Sequence, residues 1–407
     1  MPTRPRLYDD LIQTHLDSHR QMVFVGGPRQ VGKTTTCSRY ATRRFNWDDP
    51  DDRGLLLGQS DALYAAAGMH ELTPSPVVLF DELHKYPRWK QFLKGFFDRW
   101  EKQTGIIVTG SSRLDVYRRG GDSLMGRYFL YHMHPFSVAE IVSTQLPDAN
   151  TILRPPSHIS DEDWDALYAH GGFPEPFVTR TDQFSRRWQS LRSTQLVRED
   201  IRDLTAIQQL DQLESLVRIL GHRSSHQLIF SNLASEVRVT IDTIRRWITT
   251  LCNMGLGFLV RPWHKNVSRS LRKEPKWFLR DWATLADPGE RAETLVACHL
   301  LKAVDGWNDL GLGDFHLGYL RDRSRREVDF VVARDGQPWF IAEVKRSDTR
   351  LSPALTHFQQ QTGAPYAFQI VLDGDPVDVN CFTHGPNPKH AERPLVVPAR
   401  TLLSQLL

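Results

Sequence analysis

The run from Met22 to Thr35, MVFVGGPRQVGKTT, constrains this chain more than any other stretch. Four apolar residues, Met22 to Val25, give way after Gly26 to Gly27-Pro28-Arg29-Gln30-Val31-Gly32-Lys33-Thr34, which fits G-x-x-x-x-G-K-[ST]. A strand that ends in such a loop and restarts as a helix makes a cradle for phosphate. Its glycines let backbone N–H groups turn inward, and the helix opening near Lys33 presents its positive end. Lys33 is expected to reach the β- and γ-phosphates, and the Thr34 hydroxyl to ligate Mg²⁺. Residues Gly27 through Thr35 (Gly27, Pro28, Arg29, Gln30, Val31, Gly32, Lys33, Thr34, Thr35) are the expected nucleotide contacts.

A phosphate loop needs carboxylates nearby to manage the metal and the attacking water. Pro76-Val77-Val78-Leu79-Phe80-Asp81-Glu82 is an uninterrupted apolar run, as in a strand buried on both faces of a parallel sheet. Its two acids stand at the C-terminal end, where α/β sheets place ligands. Asp81 is expected to hold Mg²⁺ through water, and Glu82 to polarise the attacking water. A third run, Gly105 to Thr109, ends in Gly110-Ser111-Ser112. It is expected to lie between the other two, with Ser111 or Ser112, and Thr109 as the third choice, sensing the γ-phosphate. ATP and Mg²⁺ are the cofactors this predicts.

Composition excludes several other classes. The chain has 407 residues and a net charge of only +3, so any nucleic-acid contact must come from a local patch. The N-terminus, Met1 to His19, is polar and carries no secretory pattern, and no apolar run reaches membrane-spanning length. The cysteines Cys37, Cys252, Cys298 and Cys381 are scattered, which argues for a reducing cytoplasm and against structural zinc.

The order of the motifs resembles a known family. Gly27 to Thr34, Leu79-Phe80-Asp81-Glu82 with His84-Lys85, Thr109-Gly110-Ser111-Ser112, Leu124-Met125-Gly126-Arg127 and Pro135-Phe136-Ser137-Val138-Ala139-Glu140 follow in turn. The series is similar to that of AAA-type (P-loop) ATPases carrying a C-terminal DUF4143 domain. Gly171-Gly172-Phe173-Pro174-Glu175, Pro275 to Asp281 and Glu327-Val328-Asp329 extend the likeness over nearly the whole chain. The resemblance implies an α/β fold: an ATPase core over residues 1–135, a helical lid over 136–222, a winged helix over 223–278 and a nuclease-like domain over 279–407. It also implies an arginine that completes a neighbour's site, which makes the protein a homo-oligomer. Arg127 is the candidate, with Arg113, Arg118 and Arg119 as alternatives and a structural ion pair as the plainer role. Within the lid region, the Pro-, Ser- and Asn-rich stretch from Leu146 to Ile159 is expected to be mobile.

Two further segments bear on function. Ser231 to Val239 and Thr240 to Ile248 read as a helix-turn-helix whose second helix shows Asp242, Thr243, Arg245 and Arg246 outward. A basic stripe follows, with Arg261, Lys265, Arg269, Arg272, Lys273 and Lys276 interleaved with Trp263 and Trp277, which suits DNA phosphates. Thr243, Arg245, Arg246, Lys265, Arg269, Arg272 and Lys273 are the expected DNA contacts, and a protein partner is the competing occupant. The second segment holds Glu327-Val328-Asp329 and Glu343-Val344-Lys345 in two β-rich runs around Asp335-Gly336. A loop of three or five residues brings Asp329 opposite Glu343. A two-residue turn pairs Asp329 with Ala342 and sends Glu343 to the other face. The Asp…Glu-x-Lys pattern is similar to the PD-(D/E)xK nucleases, although Val328 replaces the proline usual before the first Asp. That likeness implies Mg²⁺ on Asp329, Glu343 and Glu293 (or Glu290), with Lys345 beside the phosphate. A domain that kept the fold only for binding would read the same.

Overall fold

Met22–Gly26 forms a strand buried along its whole length, because Met22, Val23, Phe24 and Val25 leave no polar face for solvent. The computed structural model describes residues 4–70, 75–110, 124–148, 150–196, 209–263, 274–382 and 393–407. The chain divides into two compact units. One holds residues 1–134 with 144–146 and 253–255, and the other holds the remainder.

The first unit is built on a five-stranded sheet: β1 (Met22–Gly26), β2 (Arg43–Asn46), β3 (Val77–Asp81), β4 (Gly105–Gly110) and β5 (Tyr128–His132). Their order is β2-β3-β4-β1-β5, and every pairing is parallel. The strand carrying Thr109 therefore lies between the strands carrying the phosphate loop and Asp81, as expected. Parallel neighbours need crossovers. Helices α1 (Leu7–Ser18), α2 (Lys33–Cys37), α3 (Pro50–Leu57), α4 (Ser60–Ala66) and α5 (Trp89–Trp100) provide them or precede them. Helix α5 buries Leu93, Phe96, Phe97 and Trp100 against Phe24, Val78, Phe80 and Val108. Helix α1 is tied down by Arg6, whose guanidinium donates to the carbonyls of Val31 and His134, each at 2.7 Å. Because one of those carbonyls belongs to the phosphate loop, α1 steadies the loop from behind.

The second unit opens with helices α6 (Val138–Val142), α7 (Asp161–His170), α8 (Pro174–Thr179), α9 (Asp182–Gln195) and α10 (Leu210–Gly221). The stretch before α7, expected to be mobile, is anchored. Arg154 is buried and donates to the carbonyls of Ala139 and Ser143 at 2.9 Å, and Ile159 is fully buried. A single buried arginine bridging two carbonyls at the C-terminal end of α6 outweighs the flexible composition.

Helices α11 (Phe230–Val237) and α12 (Ile241–Asn253) meet at a tight connection in which Arg238 takes a left-handed conformation, φ 59°. Helix α12 buries Ile244, Trp247, Ile248 and Leu251, the spacing of one helical face. A hairpin follows, β6 (Gly257–Pro262) against β7 (Lys276–Leu279), in antiparallel register with Gly257 opposite Leu279. This hairpin is the edge of a larger sheet. With β8 (Phe315–Arg321), β9 (Glu327–Arg334), β10 (Gln337–Lys345), β11 (Tyr366–Val371) and β12 (Leu395–Pro398), the order runs β12-β11-β10-β9-β8-β6-β7. Helix α13 (Pro288–Asp309) lies along it and buries Leu295, Val296, Leu300 and Trp307; α14 (Pro353–Thr362) packs Leu355 and Phe358 on Val331 and Ile341, and α15 (Ala399–Ser404) follows β12.

Candidate functional site

The phosphate loop leaves β1 at Gly26 and re-enters helix at Lys33. Two glycines are required by geometry. A Cβ on Gly27 would stand 2.3 Å from the Met133 carbonyl oxygen, and Gly32 caps α2 with φ 98°. Gln30 also takes a positive φ of 63°, which turns the loop back on itself. Lys33 is buried, and its ammonium donates to the loop carbonyls of Gly27 at 3.0 Å and Pro28 at 2.7 Å. Burial lowers the Lys33 pKa to about 8, against the pull of Glu82 and Asp81. Phosphate oxygens would compete with those carbonyls for the same donors. Thr35 is exposed, one turn position beyond.

Asp81 ends β3 almost fully buried and gathers three partners. The Thr34 hydroxyl donates to it at 3.0 and 3.1 Å, the Thr109 hydroxyl donates from the end of β4, and Arg44 donates from β2 at 2.7 Å. A threonine hydroxyl beside a carboxylate, with a cation already drawn to the same carboxylate, is a donor set that suits Mg²⁺. Thr34 and Asp81 are the residues that would hold it. When bound, it would neutralise charge on the phosphates. Glu82 leaves the strand with φ 54°, an uncommon conformation for a residue with a side chain and one that concentrates at functional sites. That twist separates the two acids: Asp81 stays on the strand end, while Glu82 turns toward Lys85 at 3.5 Å. That Glu82 oxygen, Oε2, is buried and makes no hydrogen bond, with the Lys85 ammonium at 3.5 Å and His84 Nε2 at 3.9 Å around it.

Thr109, the third choice for the sensor, donates to Asp81. Ser111 and Ser112 lie outside the described residues. Arg44 was not foreseen at all. The register Asn46↔Asp81 between β2 and β3 puts it beside the acid, and only the strand order reveals that. Arg127 stands at the other end of the sheet. It precedes Tyr128, which pairs with Met22, four residues and ~13 Å before the loop end of β1. Its guanidinium makes a two-pronged ion pair with Asp98 at 2.7 and 3.0 Å, the plainer role named for it above.

Sequence comparison places an AAA domain over residues 19–142, the span that contains every group just described. The N-terminal part of this chain is an AAA-type ATPase domain. Two domains of unknown function follow it, DUF8612 over residues 161–287 and DUF4143 over 288–376. The chain is thus an ATPase that ends in a DUF4143 domain. Uncharacterized proteins of Mycobacterium bovis and Mycobacterium tuberculosis are each 24% identical to it over 340 residues, covering 81% of this chain and 71% of theirs. Among solved structures, AMPPCP-bound DnaA from Aquifex aeolicus aligns over 60% of this chain and 87% of its own, at 13% identity and a TM-score of 0.32. A signal-transduction ATPase with a tetratricopeptide repeat sensor from Pyrococcus horikoshii aligns over 76% and 47%, at 11% identity and a TM-score of 0.23. These structural likenesses are weak, and nothing below rests on them. No described helix is long and apolar enough to cross a membrane.

The DUF4143 hairpin corrects the expectation about its loop. The turn is the two-residue Asp335-Gly336, both with positive φ (51° and 76°), joining Arg334 to its partner Gln337. A two-residue turn should have turned Glu343 away. Instead a bulge between Pro338 and Phe340 inserts one residue, Trp339, and shifts the register so that Ala342 faces Phe330. Asp329 and Glu343 are the next opposed positions, so the acids converge without an odd loop. Trp339 has a reason to bulge: its ring packs on Trp307, Phe315 and Phe382. The Val344 amide donates to Asp329 at 2.9 Å, and Lys345 donates to Glu343 at 2.8 Å. Of the two helix candidates, Glu293 joins the cluster, while Glu290 lies 3.6 Å from His226.

The residues do not fit a metal there. The Lys276 ammonium sits among the acids, 2.9 Å from Glu293, 2.7 Å from Glu327 and 3.3 Å from Asp329. Among the described residues no group of three metal-ligating side chains is arranged to hold an ion. Lys276 therefore leaves the basic stripe to which the sequence assigned it, and Trp277, fully buried, leaves with it. Lys265, Arg269, Arg272 and Lys273 lie outside the described residues. Arg245 and Arg246 are exposed on α12 and Thr243 is half-exposed, as expected for an outward face.

Proposed function

We propose that this ATPase hydrolyses Mg²⁺-ATP as a homo-oligomer to remodel or translocate DNA. The nucleotide half of the reading follows from the site. Lys33 and the loop amides would bind and orient the phosphates, Thr34 and Asp81 would hold the metal, Thr109 fixes Asp81, and Glu82 would take a proton from water. The observation that carries the DNA half is the two-sided α12. One face packs Ile244, Trp247, Ile248 and Leu251 into the core, while the other holds Arg245 and Arg246 free to meet phosphate. Arg245 keeps two loose contacts, with Asp242 at 3.7 Å and with the Phe230 ring, whose centre lies 5.8 Å away. Duplex or branched DNA should stimulate ATP hydrolysis, with stimulation falling steeply as salt rises. The double change Arg245→Glu and Arg246→Glu should abolish the stimulation and spare the basal rate. Basal and stimulated rates that move together, or no response to any DNA, would sink the DNA half and leave the ATPase.

A second reading has its own support. Ile229 and Ile241, just before α11 and at the start of α12, are 45% and 41% exposed, an apolar pair that suits a protein partner. On that reading the ATPase is a regulatory switch. Stimulation lost on Ile229→Ser and Ile241→Ser but kept in the double arginine variant would favour it. A metal-dependent nuclease gated by ATP, the third reading, has a lysine where its metal belongs.

A further inference from the structure

We propose that the Lys276 ammonium is the built-in cation of the DUF4143 acidic cluster, filling the place of a divalent ion, so that this domain works without metal. The fit is stoichiometric. An ammonium has three donors and no acceptor, and Lys276 finds three carboxylates, Glu293 from α13 and Glu327 and Asp329 from one face of β9. The remaining acid and the outer edges have their own cations: Lys345 on Glu343 at 2.8 Å and Arg321 on Glu327 at 2.8 Å. A divalent ion needs those same oxygens at ~2.0–2.6 Å, a space the nitrogen already occupies.

The lysine is also held as part of the fold. It opens β7 opposite Val260, its side chain is 4% exposed, and its nitrogen lies 5.7 Å from the centre of the Tyr319 ring. Tyr319 is fixed in turn, its hydroxyl donating to the Glu274 carbonyl at 2.7 Å and accepting from Gln227 at 2.8 Å. Burial opposes a charge on Lys276, but Glu293, Asp329 and Glu327 together raise its pKa, so it stays an ammonium. Glu343 is the group that shows what the cluster would otherwise take. It is buried, and its Oε2 has no hydrogen-bond partner. Removing Lys276 would leave three carboxylates facing one another with Glu343 beside them, a set suited to a hard cation.

The inference stands apart from the DNA reading, because it concerns only what neutralises this cluster. Its test counts Mn²⁺ bound to the nucleotide-free full chain by electron paramagnetic resonance. Wild type and Glu343→Gln should bind the same number of ions, any ion at Thr34 and Asp81 being common to both. Lys276→Ala should bind one more ion per chain, and adding Glu293→Gln should remove it. Mn²⁺ should also raise the melting temperature of Lys276→Ala and leave that of the wild type nearly unchanged. A wild-type count that drops by one on Glu343→Gln overturns the proposal, as does a folded Lys276→Ala that gains no ion. If Lys276→Ala does not fold, the wild type and Glu343→Gln pair decides: equal counts uphold the built-in cation and unequal counts refute it.

Discussion

Replacing Arg44 by alanine should tighten Mg²⁺-nucleotide binding, an unusual direction for the loss of a cation beside a phosphate site. Arg44 donates to Asp81 at 2.7 Å, and Asp81 is the acid that, with Thr34, would hold the metal. The metal therefore has to win Asp81 from the guanidinium. A charge-assisted hydrogen bond to a buried carboxylate is worth ~1.5–3 kcal/mol. The Arg44 side chain is 44% exposed, however, and solvent screens such a pair, which brings the figure to about 1 kcal/mol. Removing Arg44 costs the nucleotide-free protein that amount and the Mg²⁺-nucleotide complex little, so the dissociation constant should fall roughly fivefold. The assay is titration of a fluorescent, non-hydrolysable ATP analogue into wild type and Arg44→Ala, with Mg²⁺ and again with a chelator. The gain must appear with Mg²⁺ and vanish without it. Weaker binding in Arg44→Ala, or an equal gain under chelation, would show that Arg44 serves the phosphates rather than standing in for the metal.

Two other outcomes follow from single groups. Lys33, held at a pKa of about 8 by burial, binds phosphate as the ammonium, so nucleotide affinity should be flat below pH 8. Above it the affinity should weaken by ~10-fold per unit until the pKa of the bound form is reached; a flat affinity from pH 7 to 9.5 would refute the assignment. Lys302 donates to the buried Glu140 and, at 3.0 Å, to the Pro135 carbonyl. Lys302→Met takes the ammonium from that buried acid, leaving Arg154 near it, and should cost ~3–5 kcal/mol in chemical denaturation, much of it recovered by adding Glu140→Leu. A loss under ~1 kcal/mol would mean that Glu140 is neutralised by other means.

The ATPase half of the fold was legible because its signals are local and redundant. Three of the parallel strands read as apolar runs, and each runs into the residues its chemistry needs: Gly26 and Gly27 after Val25, Asp81 after Phe80, Thr109 after Val108. The parts that were not legible depend on who sits beside whom. Arg44 looks like any strand arginine until β2 is known to neighbour β3. Lys276 looks like a member of a basic stripe, since six cations in a short stretch read alike whether they point to solvent or inward. The hairpin shows the limit most sharply. Loop length alone would have placed Glu343 on the wrong face, and the correction came from Trp339, whose preference for the aromatic cluster of Trp307, Phe315 and Phe382 forces the bulge. Register was decided by packing, which the alternation pattern does not contain.

Each acidic centre in this chain carries a cation supplied by its own sequence, and the contrast between them separates a working metal site from a closed one. At Asp81 the cation is a half-exposed guanidinium that reaches one carboxylate, while two threonine hydroxyls satisfy the same acid. When Mg²⁺ arrives, Arg44 can swing into water at small cost and lose one partner. At Asp329 the cation is a buried ammonium paired with three carboxylates at once. Moving it would leave an unpaired charge inside the protein, a penalty several times larger than the loss of the Arg44 pair. Two strands that each carry an acid, Asp81 at the end of β3 and Asp329 near the start of β9, therefore have opposite fates. Where the native cation is held loosely a metal can replace it, and where it is held by three partners the metal is shut out.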